Sequence, residues 1–232
     1  FNFRANDIKN GGEGAPLVPL YHKLLAKKLQ MNNPTLFLNI GGISNFTYYF
    51  QDELIAKDIG PGNILIDEYL KKTRGIDYDQ HGNIAMSGNI NQNIINQFYE
   101  HEYYNVKDKH SYDIKEFDFG FVKGLDFDDA VATLTYFTAL VISENIKINV
   151  KNKVDIILCG GGRKNLTLVK HLKTLLNYKI KLIDDFNIDG DFIESQAFAY
   201  LSIRSYLKKP LSYPKTTNVL TPVTGGEMKV NY

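Results

Sequence analysis

The chain has 232 residues, 44% of them hydrophobic, and its 27 lysines and arginines against 26 aspartates and glutamates leave a formal charge of +1. That is enough apolar chain for one large domain or two small ones, and the balanced charge gives no electrostatic reason to expect nucleic acid or an anionic membrane as partner. The single Cys159 leaves no internal disulfide framework or cysteine-rich zinc site, no apolar run approaches the ~20 residues of a membrane span, and a reducing cytoplasm is the expected setting.

The chain opens on Phe1 in FNFRANDI, without a basic-then-apolar signal peptide, and is expected to start in the middle of something. Residues 1–19, punctuated by Gly11, Gly12, Gly14, Pro16 and Pro19, read as loop. Residues 20–30 place Leu20, Leu24 and Leu25 at helical spacing beside lysines, an amphipathic helix whose leucines are built to be covered; His22 on it reads as a half-buried packing residue. TLFLNI, a Gly-Gly turn and SNFTYYF predict a β-hairpin, and ELIAKDI a third strand leading through GPGN into a helix from Ile64 to Thr73. Residues 76–122 are polar, aromatic and irregular, with a helix expected only over Asn91–Tyr99.

Residues 126–149 read as a long helix with acids in its first turn, where the helix dipole favours them. VDIILC is a strand of buried type, GGG a turn, and NLTLVKHLKTLL a helix capped by Asn165. KIKLI is a further strand, DDFNIDG a loop, DFIESQAFAYLSIRSYLK the last helix, and the tail from Pro210 is turn-rich. A hairpin-bearing sheet with crossover helices is an α/β domain.

Four segments can carry chemistry, and each has a plainer reading beside it. Asn39–Asn45 ends a strand in Gly41 and Gly42, so backbone N–H groups can turn toward an anion, with Ser44 and Asn45 as added donors; an ordinary hairpin turn has the same residues. Asp58 stands at a strand's C-terminal end, where α/β ligand sites form, and Gly60, Pro61, Gly62 and Asn63 then open a helix whose first N–H groups can face the same space. A carboxylate there can serve as general base or simply cap the turn. Gly160, Gly161 and Gly162 allow a purine and its ribose to lie against backbone, or allow close strand–helix packing; they form neither a dinucleotide fingerprint nor a Walker loop. Glu194 is a site carboxylate or a first-turn acid. The five histidines have no metal-ligand spacing, and Cys159 reads as a small buried apolar residue.

In order, GGEGAPLVPLYH, LNIGGISNFTY, DIGPGNILIDEYL, ATLTYFTA, CGGGRKN, IDGDFIESQAFAYL and PVTGG resemble the anhydro-N-acetylmuramic acid kinase family, from Phe1 to the end of the chain and least between Gly75 and Gly124. The resemblance implies the actin-like (ribonuclease H-like) ATPase fold of the actin, hexokinase and Hsp70 superfamily, with residues 1–38 as the remnant of an N-terminal lobe and sugar-side loop. Residues 39–232 would be the C-terminal nucleotide-binding lobe, carrying an irregular insertion at about 75–124. It implies that Asn39, Gly41, Gly42, Ser44 and Asn45 match a phosphate hairpin, and that Gly160, Gly161, Gly162 and Asn165 match the adenosine segment. Asp58 matches the base that activates water on the strained 1,6-anhydro ring. Arg4, Gly12, Gly14, Gly60, Gly62, Asn63 and Glu194 fall on the sugar side. ATP with Mg²⁺ held through its phosphates, an amino-sugar substrate and a homodimer follow from the same resemblance.

The family's GTSLDG phosphate loop has no counterpart in these 232 residues, so the chain is expected to be impaired alone or to need a separately encoded N-terminal segment. Asn2 stands where the family has Asp, and His110 and Ile114 where it has Lys and Arg. A non-catalytic nucleotide-binding remnant and a kinase of another sugar are the other readings.

Overall fold

TLFLNI is apolar at nearly every position, the pattern of a strand with both faces covered. In the computed structural model, which describes residues 2–97 and 118–229, it is β1 (Thr35–Ile40), buried throughout except at Asn39. β1 pairs antiparallel with β2 (Ile43–Phe50) and parallel with β4 (Asp155–Cys159). With β3 (Glu53–Pro61) and β5 (Lys179–Leu182) they make one sheet in the order β3-β2-β1-β4-β5. At the β5 edge Lys179 and Lys181 are exposed and alternate with half-buried Ile180 and Leu182, so charge guards the unpaired side.

Helices cover both faces. On one, Leu36, Leu38, Phe46, Ile156 and Leu158 meet α6 (Phe127–Asn149) and α7 (Leu166–Leu175) through Ala139, Ile142, Ile146, Leu168 and Leu172. On the other, Phe37, Ile157 and Cys159 meet α2 (Pro19–Lys28) and α8 (Ile193–Tyr206) through Tyr21, Leu25, Ile193 and Ala197. α6 is apolar nearly all round because its far side also packs, against α3 (Ile64–Arg74), α4 (Asn83–Ser87) and α5 (Gln92–Asn96) through Leu65, Ile66, Ala85 and Ile95. The α/β class expected from the sequence is the one that forms.

Several local expectations change. Residues 1–19 contain a short helix, α1 (Ala5–Lys9), where only loop was expected. Its Asp7 is 1% exposed and accepts from the Gly14 amide and the Thr217 hydroxyl, the latter from the C-terminal helix α9 (Pro214–Thr217). The helix expected over Asn91–Tyr99 is α5, capped by the Asn91 side chain at Ile94 N; Tyr99 lies outside the described residues, as do His110 and Ile114. Leu20 and Leu25 are covered and only Leu24 is substantially exposed, while His22 is fully buried rather than half-buried. The boundary expected between residues 38 and 39 falls inside β1, the central strand.

Candidate active site

Strand register brings the polar residues together. Asn39 of β1 faces Asn45 of β2, and Asn45 faces Asp58 of β3. Direct cross-strand partners project to the same face, so the three form a polar row at one end of the sheet. They line a cleft of about 470 Å³ with Arg4, Gly160, Gly161 and Glu194. Seven residues from five separate sequence segments thus meet in one space, Arg4 from the turn into α1 and Glu194 from the first turn of α8.

The hairpin and the GPGN turn are hydrogen-bonded to each other. The amides of Gly62 and Ile64 donate to Gly42 O at 2.8 and 3.2 Å, and Asn63 N to Gly41 O at 2.7 Å. The donors of Gly62, Asn63 and Ile64 at the entry to α3 are therefore occupied by hairpin carbonyls. A Cβ on Gly62 would stand 2.3 Å from Gly41 O, so this glycine is required by backbone approach. Ser44, expected to add a phosphate donor, is fully buried and its hydroxyl donates to Pro61 O at 3.1 Å. Gly42 keeps an open face, with nothing near the position of a Cβ.

The three glycines after β4 divide in the same way. A Cβ on Gly160 would meet Asn39 Oδ1 and Ile40 O at 2.6 Å, and one on Gly162 would meet Ile40 Cγ2 at 2.4 Å, so both permit close packing on β1. Gly161 alone faces open space, its nearest neighbour 3.9 Å away at Asn63 Nδ2. It also borders a second groove, of about 510 Å³, with Asn63, Asp67, Tyr78, Lys164 and Asn165. Asn165 has its carbonyl oxygen committed to Leu168 N as the cap of α7. Gly12 and Gly14 do not line the cleft; they pack around Asp7, while Ala15 and Pro16 of their loop reach it. Gly60, at a φ of +121°, packs against Val141 of α6.

Sequence reasoning missed Arg163, which ties the glycine turn to the loop before α8. Its side chain is 3% exposed and donates to Gly160 O at 3.0 Å, to both oxygens of Asp184 at 2.7 and 3.2 Å, and to Asp191 Oδ1 at 2.9 Å. The guanidinium hydrogen bonds hold the Asp184 carboxyl below its ordinary range, and those of Lys164 and Arg163 do the same for Asp191. The available signal was the run of aspartates after β5, with no local feature to pair it with Arg163. Asp67 was missed too: an acid one turn into an apolar helix, its carboxyl pushed up to about 6 by burial and by the charges of Glu68 and Asp79.

The profile of the anhydro-N-acetylmuramic acid kinase family matches residues 1–230. A relative of that name from Pelagibacter ubique (strain HTCC1062) is 46% identical over 243 residues, covering 100% of this chain and 64% of the relative. One from Zymomonas mobilis subsp. mobilis (strain ATCC 31821 / ZM4 / CP4) is 39% identical over 229 residues, covering 98% and 62%. The chain thus spans less than two thirds of the length of these curated relatives. Likeness to solved structures is lower: the activator of the 2-hydroxyisocaproyl-CoA dehydratase from Clostridium difficile, with bound ADPNP, matches at a TM-score of 0.45 and 17% identity over 75% of this chain and 63% of that one. With its match to the family profile running almost end to end, the chain belongs to the anhydro-N-acetylmuramic acid kinase family.

Proposed function

We propose that this chain carries the base and the sugar- and nucleotide-facing surfaces of an ATP-dependent kinase that opens 1,6-anhydro-N-acetylmuramic acid to N-acetylmuramic acid 6-phosphate, in an actin-like fold. The observation that carries the reading is the placement of Asp58 and Glu194 in one cleft whose wall continues through Asn39 and Asn45 to Gly160 and Gly161. A carboxylate beside a carbohydrate needs only hydrogen-bond reach to take a proton from water as that water attacks the anomeric carbon. Asp58 fills that role: the proton passes to its carboxylate, the bond from the anomeric carbon to O6 breaks, and O6 becomes the acceptor of the γ-phosphoryl group. Glu194 and Arg4, on the cleft's other elements, hold the sugar.

For the nucleotide, Gly161 and Gly42 each leave an open face where a flat or anionic group can approach backbone without meeting a side chain. The groove beyond Gly161 suits the adenosine, with Asn63, Asp67 and Asn165 around it. Bound Mg²⁺-ATP supplies the phosphoryl group and neutralises its developing charge. Dependence on ATP is the reason to place the protein in the cytoplasm.

The test is formation of N-acetylmuramic acid 6-phosphate from the anhydro sugar and ATP, followed by mass spectrometry on the complete gene product. Replacing Asp58 by Asn should lower kcat roughly 10²–10⁴-fold, the range of a lost general base, and leave ATP affinity unchanged. An Asp58→Asn enzyme turning over at the parental rate would remove Asp58 from the mechanism.

A further inference from the structure

Four buried side-chain atoms among the described residues have no hydrogen-bond partner: Thr138 Oγ1, Ser143 Oγ, Ser212 Oγ and His22 Nε2. Of these residues only His22 lines the cleft. Orphaned buried polar atoms are costly enough that each in a native protein calls for a reason.

The imidazole is held on two sides. It stacks on Phe37 with centroids 4.7 Å apart and 5° between the planes, and Nδ1 lies 2.8 Å from Thr47 Oγ1. Phe37 and Thr47 are cross-strand partners on β1 and β2, and two residues further along the same strands stand the partners Asn39 and Asn45. Side chains two apart on a strand share a face, so the ring sits one step behind the polar row that faces the ligand. Complete burial lowers its pKa to about 3, which leaves the ring neutral at working pH. A neutral ring has one donor and one acceptor nitrogen. If Thr47 donates to Nδ1, Nε2 is a donor; if Nδ1 donates to Thr47, Nε2 is an acceptor. A hydroxyl satisfies either tautomer, because it both donates and accepts, whereas an ammonium only donates and a carboxylate only accepts.

We propose that His22 Nε2 binds a hydroxyl of the carbohydrate in the cleft, making His22 a sugar-binding residue that works without changing its charge. The inference rests on the sugar-kinase reading of the cleft. Water offers the same hydroxyl chemistry, and the experiment separates the two.

Uniformly ¹⁵N-labelled protein is titrated at neutral pH with 1,6-anhydro-N-acetylmuramic acid, following the His22 ring nitrogens and the backbone amides of Asn45 and Glu194. The expected result is a saturable shift of Nε2 in step with the amides, with no such shift from a non-hydrolysable ATP analogue alone. If the amides titrate and Nε2 stays put, water is its partner and the proposal is wrong, while the cleft remains a sugar site. If no cleft resonance responds, the sugar-kinase reading fails and this inference with it. Kinetics supply a second readout on the complete gene product. His22→Phe keeps the stacking and the volume but loses the nitrogen, and should raise the sugar KM about tenfold, the size of one hydrogen bond. The ATP KM should stay within about twofold on the same scale, and His22→Gln should recover part of the loss. A fall in Tm with an unchanged sugar KM would show a purely structural histidine.

Discussion

Replacing Gly190 by alanine tests how firmly Arg163 is held between the glycine turn and the loop before α8. The added Cβ would stand 2.3 Å from Arg163 Nε and 2.4 Å from Cζ, so the guanidinium has to move. Gly190 is not among the residues with positive φ, and its backbone accepts alanine. A free arginine end would swing aside at little cost; this one is 3% exposed and fixed by its hydrogen bonds. Displacement forfeits the bidentate pair with Asp184 and the bond to Gly160 O. With Asp184 43% exposed, the solvent-discounted loss is about 2 kcal/mol, or roughly 4–8 °C in Tm for a chain of this size. Urea unfolding of the parent, Gly190→Ala, Arg163→Met and the double variant measures it. The alanine should cost about 2 kcal/mol beside arginine and almost nothing beside methionine, a coupling of the same size. Equal costs in the two backgrounds would refute the clamp. pH gives a further check. Arg163 depresses the Asp184 carboxyl, so its contribution is present above the ordinary aspartate value of 3.8 and is lost as pH falls through the lower folded value. The stability gap between the parent and Arg163→Met should therefore close in acid.

Asp67→Asn should act in the opposite direction. A carboxyl raised from 3.8 to about 6 keeps its proton in the folded chain after the unfolded chain has lost it, so stability falls as pH rises across that window and stays lower above it. The gap of about two units corresponds to ~3 kcal/mol, which partial exposure reduces to about 1 kcal/mol; the variant should gain that at pH 7 and lose the gain toward pH 4 in a series of urea titrations. Gly62→Ala should cost about 3 kcal/mol, the upper range for overpacking, because its Cβ would press 2.3 Å from Gly41 O and part the hairpin from α3. Hydrogen exchange should then show lost protection at Asn63, whose amide bonds that same carbonyl; unchanged protection would mean that the two turns are not locked together.

What the sequence reveals here follows the range of the forces involved. β1, β2, β3 and α6 were legible because an apolar run or an acidic first turn acts within a few residues. Asn165 as the cap of α7 was legible for the same reason, and its bond to Leu168 N spans three residues. Asp7 was not, since its partners Gly14 and Thr217 lie seven and 210 residues away and nothing in FRANDI marks it for burial. In the sequence Ser44 and Gly62 can equally face a ligand or another turn, because serine and glycine suit a phosphate loop and a tight turn–turn contact equally well. Only the distance to Gly41 O and the hydroxyl bond to Pro61 O separate the two.

The placement of Asp58 depends on a feature that no local pattern announces. Ser44 pairs with Gly60 but Asn45 pairs with Asp58, so β3 carries one residue more than β2 at that point. In a regular strand Ile59 and Gly60 would face opposite sides. With the bulge, Ile59 joins the core beneath α6 and a Cβ on Gly60 would also point at α6, 2.8 Å from Val141 Cγ1. A side chain would not fit there, and the φ of +121° adds a second reason for glycine. Bulges increase local twist and re-aim the residues beside them. This one lets the strand hold Asp58 in the row with Asn39 and Asn45 while the next turn folds back under the hairpin. The glycine of the GPGN turn that matters most to the placement of the carboxylate is therefore Gly60, which serves through the shape of the backbone.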